Sequence, residues 1–576
     1  MKDLSVAQQM VAPSISEDES GSRPMRQALA TLTQGSSPAS ILAMYADWQI
    51  HLTMAPDKQM ALATKATSHW IDWLCYVAQG CPEEADRRPI MPQRNDRRFQ
   101  SQAWSKPPFS ALAQGFLLAE DFWDQATSDV PGLDPAHDRA MTFLMRQVLD
   151  AVAPSNFIAT NPEVIARTFE TGGVNLQHGL MRMMQDLQKP KHRGCNAQVG
   201  KDVAVSPGRI VFRNHLIELI QYAPTTETVH SEPILIVPAW IMKYYILDLS
   251  PSNSLVRFLT DQGFTVFMIS WRNPGGEDAA LGMADYLAQG PRAAMDHITS
   301  ATGAARVHTA GYCLGGTLLS IAAAAMARDG DDRLASMTLL AAQTDFSEPG
   351  ELGLFINESQ VSFLEDVMQT QGYLDADQMM SAFQMMRSND LIWSQMIRKY
   401  LLGEDDAPMN DLMAWNADST RMPARMHTEY LRQMFLSNDL AAGRYVVDDH
   451  PVSLRDIRIP VFAVGTETDH IAPWTSVFKI HNLGHADVTF ALTNGGHNAG
   501  VLSEPGHTRR HHRIHTKRDA DKAMTPEDWL ETAALESGSW WPAWATWLAH
   551  LSGDRITPPK IANPLAAAPG TYVMMD

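Results

Sequence analysis

The chain has 576 residues, of which 45% are hydrophobic and 19% charged, so it can bury a large core and exceeds one average domain. Its 46 lysines and arginines face 65 aspartates and glutamates, and the net charge of −19 argues against a nucleic-acid partner. The cysteines have no metal-ligand spacing and suit a reducing compartment.

No apolar run approaches the roughly 18 residues of a membrane span, and the N-terminus has no apolar signal-peptide core. We therefore expect a cytoplasmic, enzyme-sized protein without a transmembrane segment. Nothing in the composition calls for a metal or another cofactor, and none is predicted.

The first third of the chain is predicted to be helical. Residues 1–40 are rich in serine, glutamine and acidic residues without periodicity, which predicts a disordered tail. Apolar residues then recur at helical spacing, and breaks at Pro154, Asn161-Pro162 and Gly172-Gly173 divide a second helical stretch. We predict a helical N-terminal domain over residues 41–198, with its Trp and Met stripe used for packing.

From residue 199 onward, strands alternate with helices. Apolar, β-branched runs predict strands at 209–222, 234–238, 265–271, 306–312, 337–342, 461–465 and 488–493. This alternation predicts an α/β domain over 199–576 with a mostly parallel sheet covered on both faces. Between about 346 and 455 helical patterns interrupt the rhythm, which predicts a cap inserted into the sheet.

A short apolar run meets a glycine-rich turn and an Ala-rich helix at Arg306 to Ser320, RVHTAGYCLGGTLLS. The turn has the form G-x-nucleophile-x-G, the nucleophile elbow of the α/β-hydrolase fold, with Cys313 at the reactive position. The following helix would direct its positive end at the sulfur, and the Leu314 amide could donate to an oxyanion. Taken alone, the motif also fits a buried cysteine in a βα turn.

A nucleophile needs a base and a group that orients the base, and this fold places the acid and then the histidine later in the chain. Asp469 follows the predicted strand at 461–465, and His497 follows the strand at 488–493 between glycines. Separately, each could be a structural loop residue. Together, and in the expected order, they predict a Cys313–His497–Asp469 triad.

The presence of cysteine rather than serine at the nucleophile position indicates a type of reaction. An acyl group on cysteine is a thioester and keeps the transfer potential of a thioester donor, whereas a serine ester would lose it. The pattern therefore favours acyl transfer from a carrier thioester such as acyl-CoA to an alcohol. A Met-rich and aromatic cap could exclude water from this step.

The sequence resembles the poly(3-hydroxyalkanoate) synthases, and among them the class I single-subunit type. The matching motifs are DRRFQSQAW at 96–104, NFIATNPEV at 156–164, ETGG at 170–173, FRNHLIELIQY at 212–222, YYILDLSPSNSLV at 244–256, SWRNP at 270–274, GYCLGGT at 311–317, RSNDLIW at 387–393, WNADSTRMP at 415–423, DHIAPW at 469–474 and GSWWPAW at 538–544.

This resemblance implies polymerisation of (R)-3-hydroxyacyl-CoA, with the 3-hydroxybutyryl compound expected, onto a growing polyester chain. It also implies Cys313, Asp469 and His497 in the family's triad positions, a homodimer, and association with cytoplasmic polyester granules and their proteins. The loop at 238–243 reads PAWIMK where the family usually has PPWINK. We expect the second oxyanion donor there, at the Ile241 amide.

Two further stretches have alternative interpretations. The segment SEPGHTRRHHRIHTKR at 503–518 is expected to be a solvated basic loop, with contact to CoA phosphates as the minority interpretation. The tryptophans at 540, 541, 544 and 547 are expected to pack in the core rather than to contact polymer. The rival functions are a Cys-dependent hydrolase or polyester depolymerase and, ranked lower, a non-enzymatic granule-coating protein.

Overall fold

The computed structural model describes residues 33, 35–93, 96–188, 197–380, 388–405 and 410–575. Residues 1–32 and 34, which make up most of the predicted tail, lie outside the described residues. The first described helix begins at Pro38.

The N-terminal part of the described chain is helical, as predicted. Its helices are α1 (Pro38–Thr53), α2 (Pro56–Ala78), α3 (Phe109–Thr127), α4 (Pro135–Val152), α5 (Pro162–Thr171) and α6 (Val174–Gln188). Ser37, Asp134 and Asn161 cap the N-termini of α1, α4 and α5 by accepting from backbone N–H groups. Proline opens each of these three helices, where its missing N–H costs nothing. Met44 and Trp48 are buried in the small core between these helices, as expected.

The second part contains the strands and the remaining helices. The strands are β1 (Gly208–Arg213), β2 (Ile217–Tyr222), β3 (Val229–His230), β4 (Ile234–Val237), β5 (Val266–Trp271), β6 (Val307–Tyr312), β7 (Leu334–Leu340), β8 (Tyr373–Leu374), β9 (Met422–Pro423), β10 (Val446–Val447), β11 (His450–Pro451), β12 (Val461–Thr466), β13 (Val488–Thr493), β14 (His511–Lys517), β15 (Leu535–Ser537), β16 (Arg555–Ile556) and β17 (Ala566–Ala567). The helices are α7 (Leu255–Asp261), α8 (Met283–Leu287), α9 (Ala293–Thr302), α10 (Leu314–Asp329), α11 (Glu358–Gln371), α12 (Ser394–Met396), α13 (Asp411–Asn416), α14 (Ala424–Tyr430), α15 (Trp474–Phe478), α16 (Ile480–Leu483), α17 (His497–Val501), α18 (Pro526–Thr532) and α19 (Trp541–His550).

The main sheet has the strand order β15-β14-β13-β12-β7-β6-β4-β5-β2-β1-β17. The central strands from β13 to β5 are parallel, whereas the flanking strands are antiparallel. The sheet is therefore mixed, and the predicted parallel character holds for its centre. The carboxyl ends of the parallel strands meet at one edge, which is where an open α/β sheet carries its site.

Helix α10 lies in the middle of the core. Its residues from Leu314 to Met326 are all buried, and alanines allow it to lie close to the neighbouring strands. On the other face of the sheet, Trp540, Trp541 and Trp544 are buried, which confirms that they pack in the core.

Between β7 and β12 the chain forms helices α11 to α14 and short two-stranded ladders. The predicted helical insertion into the α/β-hydrolase fold is thus present. The proposed limits of the cap, 346–455, and of the other domains stay predictions.

The expectation of a solvated loop at 503–518 is wrong for its second half. Strand β14 pairs antiparallel with β13, and His512 and Lys517 on this strand are buried. Five of the seven residues of β14 are histidine, arginine or lysine, so the usual apolar alternation of a strand is absent from the sequence.

The described C-terminal residues are attached to the opposite edge of the sheet. Strand β17 pairs with β1, and the buried Glu218 accepts hydrogen bonds from the backbone amides of Thr571 and Tyr572 at 2.8 and 3.0 Å. The Lys243 ammonium donates to the carbonyl of Met575. The chain end thus contacts the loop that follows β4.

Gly315 lies where any side chain would collide with backbone. A Cβ there would lie 2.6 Å from the Pro238 carbonyl oxygen and closer still to that of Val237. We therefore expect Gly315→Ala to lower the thermal unfolding midpoint by roughly 4 °C or more in calorimetry. Gly484→Ala is the control, because its added Cβ would meet its nearest atom at 3.4 Å. An unchanged midpoint for Gly315→Ala would contradict the close approach.

Candidate active site

Cys313 occupies a sharp turn between strand β6 and helix α10. Its φ of 51° is in the sparsely populated positive region, which marks a turn held by its surroundings. The backbone N–H of Cys313 donates to the Leu340 carbonyl at 2.9 Å. A Cβ on Gly311 would lie 2.7 Å from the Gly316 nitrogen, so the turn can close only around glycine. The turn has the geometry expected of a nucleophile elbow.

Asp469 and His497 lie beyond the carboxyl ends of the neighbouring strands β12 and β13. His497 Nδ1 and Asp469 Oδ2 are 2.7 Å apart, and both residues are buried. Asp469 Oδ1 accepts from the amides of Ile471 and Ala472, each at 2.9 Å. The backbone donors therefore fix the position of the carboxylate independently of its contact with the imidazole.

The charges of this group are strongly coupled. Burial alone would lower the pKa of His497, but the Asp469 carboxylate and then the Cys313 sulfur outweigh burial and hold that pKa well above its usual value. Burial would raise the pKa of Asp469, but His497 and the two backbone amides lower it. His497 interacts with both Asp469 and Cys313. Because Nδ1 of His497 is paired with Asp469, Nε2 is the ring nitrogen that can interact with the Cys313 sulfur.

The two residues predicted to supply oxyanion donors follow the neighbouring strands β4 and β6. Leu314 and Ile241 are each 7% exposed, and neither N–H donates to a protein acceptor within the described part of the chain. The N–H of Leu314 opens helix α10, where the first N–H groups have no acceptor within the helix. Both N–H groups thus remain available to an acceptor outside the protein, such as a developing oxyanion. The predicted residues Cys313, Leu314, Ile241, Asp469 and His497 thus come together at one edge of the sheet.

Three family profiles match the chain. Residues 95–259 match the N-terminus of poly-beta-hydroxybutyrate polymerase (PhaC), residues 23–58 match a profile described as poly-beta-hydroxybutyrate polymerase N terminal, and residues 232–500 match the alpha/beta hydrolase fold. A poly(3-hydroxyalkanoate) polymerase of Methylorubrum extorquens is 42% identical over 499 residues, covering 84% of this chain and 82% of that protein. The PhaC polymerase subunit of Cupriavidus necator is 36% identical over 494 residues, covering 83% of each. The chain belongs to the poly(3-hydroxyalkanoate) polymerase family.

The prediction of a polyhydroxyalkanoate synthase on an α/β-hydrolase fold is thereby confirmed. Among solved structures, a monoacylglycerol lipase of Paleococcus ferrophilus is similar with a TM-score of 0.31 and 13% identity, covering 58% of this chain and 99% of that one. Among the described helices of this polymerase-family member, none is long and apolar enough to cross a membrane.

Three residues that sequence reasoning did not assign to the site hold the short helix α17, which begins with His497. The Arg510 guanidinium donates to the carbonyls of Asn494, Ala499 and Leu502, with 3.2 Å to Asn494 and 2.9 Å to Leu502. The indoles of Trp540 and Trp541 donate to the carbonyls of Gly500 and Val501 at 3.2 and 3.0 Å. A helix this short leaves its last carbonyls unpaired, and these side chains satisfy them. They thereby fix the loop that carries His497.

Aromatic side chains from the insertion pack together in the apolar cluster that borders Cys313. Tyr430 packs with Phe435, Phe346 and Trp240 at ring distances of 5.4, 5.9 and 6.5 Å. Burial, and in addition the neighbouring Cys313, raise the pKa of the Tyr430 hydroxyl. In this polymerase-family member Cys313 packs against the apolar cluster to which these rings belong, which fits the predicted exclusion of water.

Asp469→Asn should lower the pKa of His497, because it removes the carboxylate charge and leaves the effect of burial less opposed. Titration of the imidazole signals in histidine-labelled protein would measure this pKa, with His497→Gln used for assignment. Turnover should fall by about 10²- to 10⁴-fold. Glu467→Gln is the control, since Glu467 contacts His511 at 3.2 Å and not His497. A pKa of His497 that is unchanged in Asp469→Asn would refute the coupling.

Proposed function

We propose that this chain polymerises (R)-3-hydroxyacyl-CoA, with 3-hydroxybutyryl-CoA as the first substrate to test, through an acyl group carried on Cys313. The observation that carries the proposal is a cysteine in the elbow turn beside a buried His497–Asp469 pair. Family membership supports polyester synthesis as the overall reaction. The sulfur supports a thioester intermediate, since an acyl group passes between two thioesters with little change in free energy.

The first half of the proposed reaction loads the cysteine. His497 takes the proton of Cys313, and the sulfur attacks the thioester carbonyl of the substrate. The amides of Leu314 and Ile241 donate to the oxygen of the tetrahedral intermediate. The C–S bond to CoA then breaks, and the leaving thiolate takes the proton from His497. The products of this half-reaction are free CoA and acylated Cys313.

The second half transfers the acyl group to an alcohol. The 3-hydroxyl group of the next unit or of a chain end gives its proton to His497 and attacks the acyl carbon, and Cys313 is released. Asp469 could orient His497 or activate the hydroxyl directly. The orienting role is better supported, because both carboxylate oxygens of Asp469 already accept hydrogen bonds and its side chain is fully buried. In this role it stabilises the imidazolium.

The wider assignments rest on the family resemblance. We propose that the chain acts as a homodimer on growing polyester at cytoplasmic granules, where granule-associated proteins could join it. No cofactor is part of the proposal. The second candidate function is a Cys-dependent hydrolase or polyester depolymerase, which the hydrolase fold favours.

Product analysis separates the two candidates. The chain is incubated with short-chain and medium-chain 3-hydroxyacyl-CoAs, CoA release is followed, and the acyl products are examined by mass spectrometry. We expect insoluble polyester together with stoichiometric CoA. Free 3-hydroxy acid without polymer would refute the synthase and support the hydrolase.

Cys313→Ala should reduce CoA release by a factor of about 10³ or more, because no acyl-enzyme can form. Cys313→Ser should also be impaired, because loading a serine from CoA gives up the transfer potential of the thioester. Cys75→Ala is the control, since Cys75 is an exposed free cysteine on helix α2. Retained turnover in Cys313→Ala, or full-rate polymerisation by Cys313→Ser, would contradict the cysteine mechanism.

A further inference from the structure

Residues 415–421 of the insertion run along the loop that follows strand β4. Trp415 donates its indole N–H to the Lys243 carbonyl at 2.7 Å, and Ser419 forms a β-bridge with Met242. Thr420 donates twice, from its hydroxyl to the Trp240 carbonyl at 2.7 Å and from its backbone N–H to the Ile241 carbonyl at 3.0 Å. The loop is therefore joined to the cap by consecutive hydrogen bonds.

The hydroxyl bond of Thr420 determines how one peptide unit is oriented. A trans peptide is planar, and its C=O and N–H point in opposite directions. Because the Trp240 carbonyl points at Thr420 Oγ1, the Ile241 N–H of the same peptide must point away from the cap segment. Thr420 is fully buried, so water cannot replace its hydroxyl.

The same loop begins in contact with the turn of Cys313. Gly315, in the first turn of α10, lies against the carbonyls of Val237 and Pro238. The two amides predicted to donate to the oxyanion, those of Leu314 and Ile241, thus belong to segments that contact one another. One of these amides is oriented by its helix and the other by Thr420.

We infer that Thr420 is a positioning residue for acyl transfer. Its hydroxyl holds the Trp240–Ile241 peptide so that the Ile241 N–H can donate to the oxyanion. Thr420 belongs to the insertion. The Ile241 N–H is therefore held in the donating orientation only while residues 415–421 lie on the loop after β4. This inference rests on the proposed acyl transfer through Cys313.

Thr420→Val tests the inference, because valine keeps the shape and the backbone donor but removes the hydroxyl. We expect kcat for CoA release to fall about 10-fold or more while KM changes less than about threefold, in line with partial loss of an oxyanion donor. Thr420→Ser should restore most of the activity. Alkylation of Cys313 by iodoacetamide, followed by peptide mass spectrometry, should proceed at the parent rate, since that displacement forms no oxyanion.

Thr309→Val is the matched control. Its buried hydroxyl donates to the Ser336 carbonyl at 2.9 Å within the sheet, so the substitution removes a similar bond away from the loop. It should lower the unfolding midpoint about as much as Thr420→Val and leave kcat within about twofold. A normal kcat in Thr420→Val, or an equal loss in Thr309→Val, would overturn the inference. Absence of CoA release by the unmodified chain would instead refute the proposed function.

Discussion

A close contact between two backbone segments determines where the candidate reactive groups of this molecule lie. Gly315 meets the carbonyls of Val237 and Pro238 with no side chain between them, so the turn after β6 lies against the loop after β4. These strands are neighbours in the sheet, paired through Val237 and Gly311. Because the central strands are parallel, β12 and β13 bring Asp469 and His497 to the same edge. The strand order alone thus gathers residues that are far apart in sequence.

The candidate triad combines two physical effects that act against each other. Burial disfavours charge on Asp469 and His497, whereas their mutual attraction favours it, and attraction prevails at both groups. A buried pair of this kind adds little to stability, but its contact at Nδ1 sets the orientation of the imidazole ring. That orientation is useful only if the loop that carries His497 stays in place. Arg510 and two tryptophans provide this constraint through the carbonyls of α17, which connects the C-terminal helix to the candidate base.

Much of this arrangement could be predicted from the sequence, for a definite reason. Central strands buried on both faces appear as continuous apolar runs, so β4 to β7, β12 and β13 could be recognised, and Cys313, Asp469 and His497 could be placed at their ends. Strand β14 escaped recognition because five of its seven residues are histidine, arginine or lysine. Arg510 and Thr420, by contrast, act through hydrogen bonds from their side chains to backbone carbonyls of other segments. Backbone carbonyls have no signature in the sequence, so no local pattern indicates such a contact.

The attachment of residues 415–421 to the loop after β4 divides the insertion into two kinds of surface. Helices α11 and α14 contribute apolar side chains that can be exchanged for others of similar volume. The segment from Trp415 to Arg421 contributes hydrogen bonds, among them two from side chains to backbone carbonyls and one from the Arg421 N–H to Asn273 Oδ1. Replacing one of these side-chain donors by hydrocarbon leaves its partner unpaired. Substitutions that keep the side-chain volume are therefore expected to be tolerated better in these helices than in the connecting segment. The insertion thus combines apolar packing that similar side chains could replace with a hydrogen-bonded segment that the loop after β4 depends on.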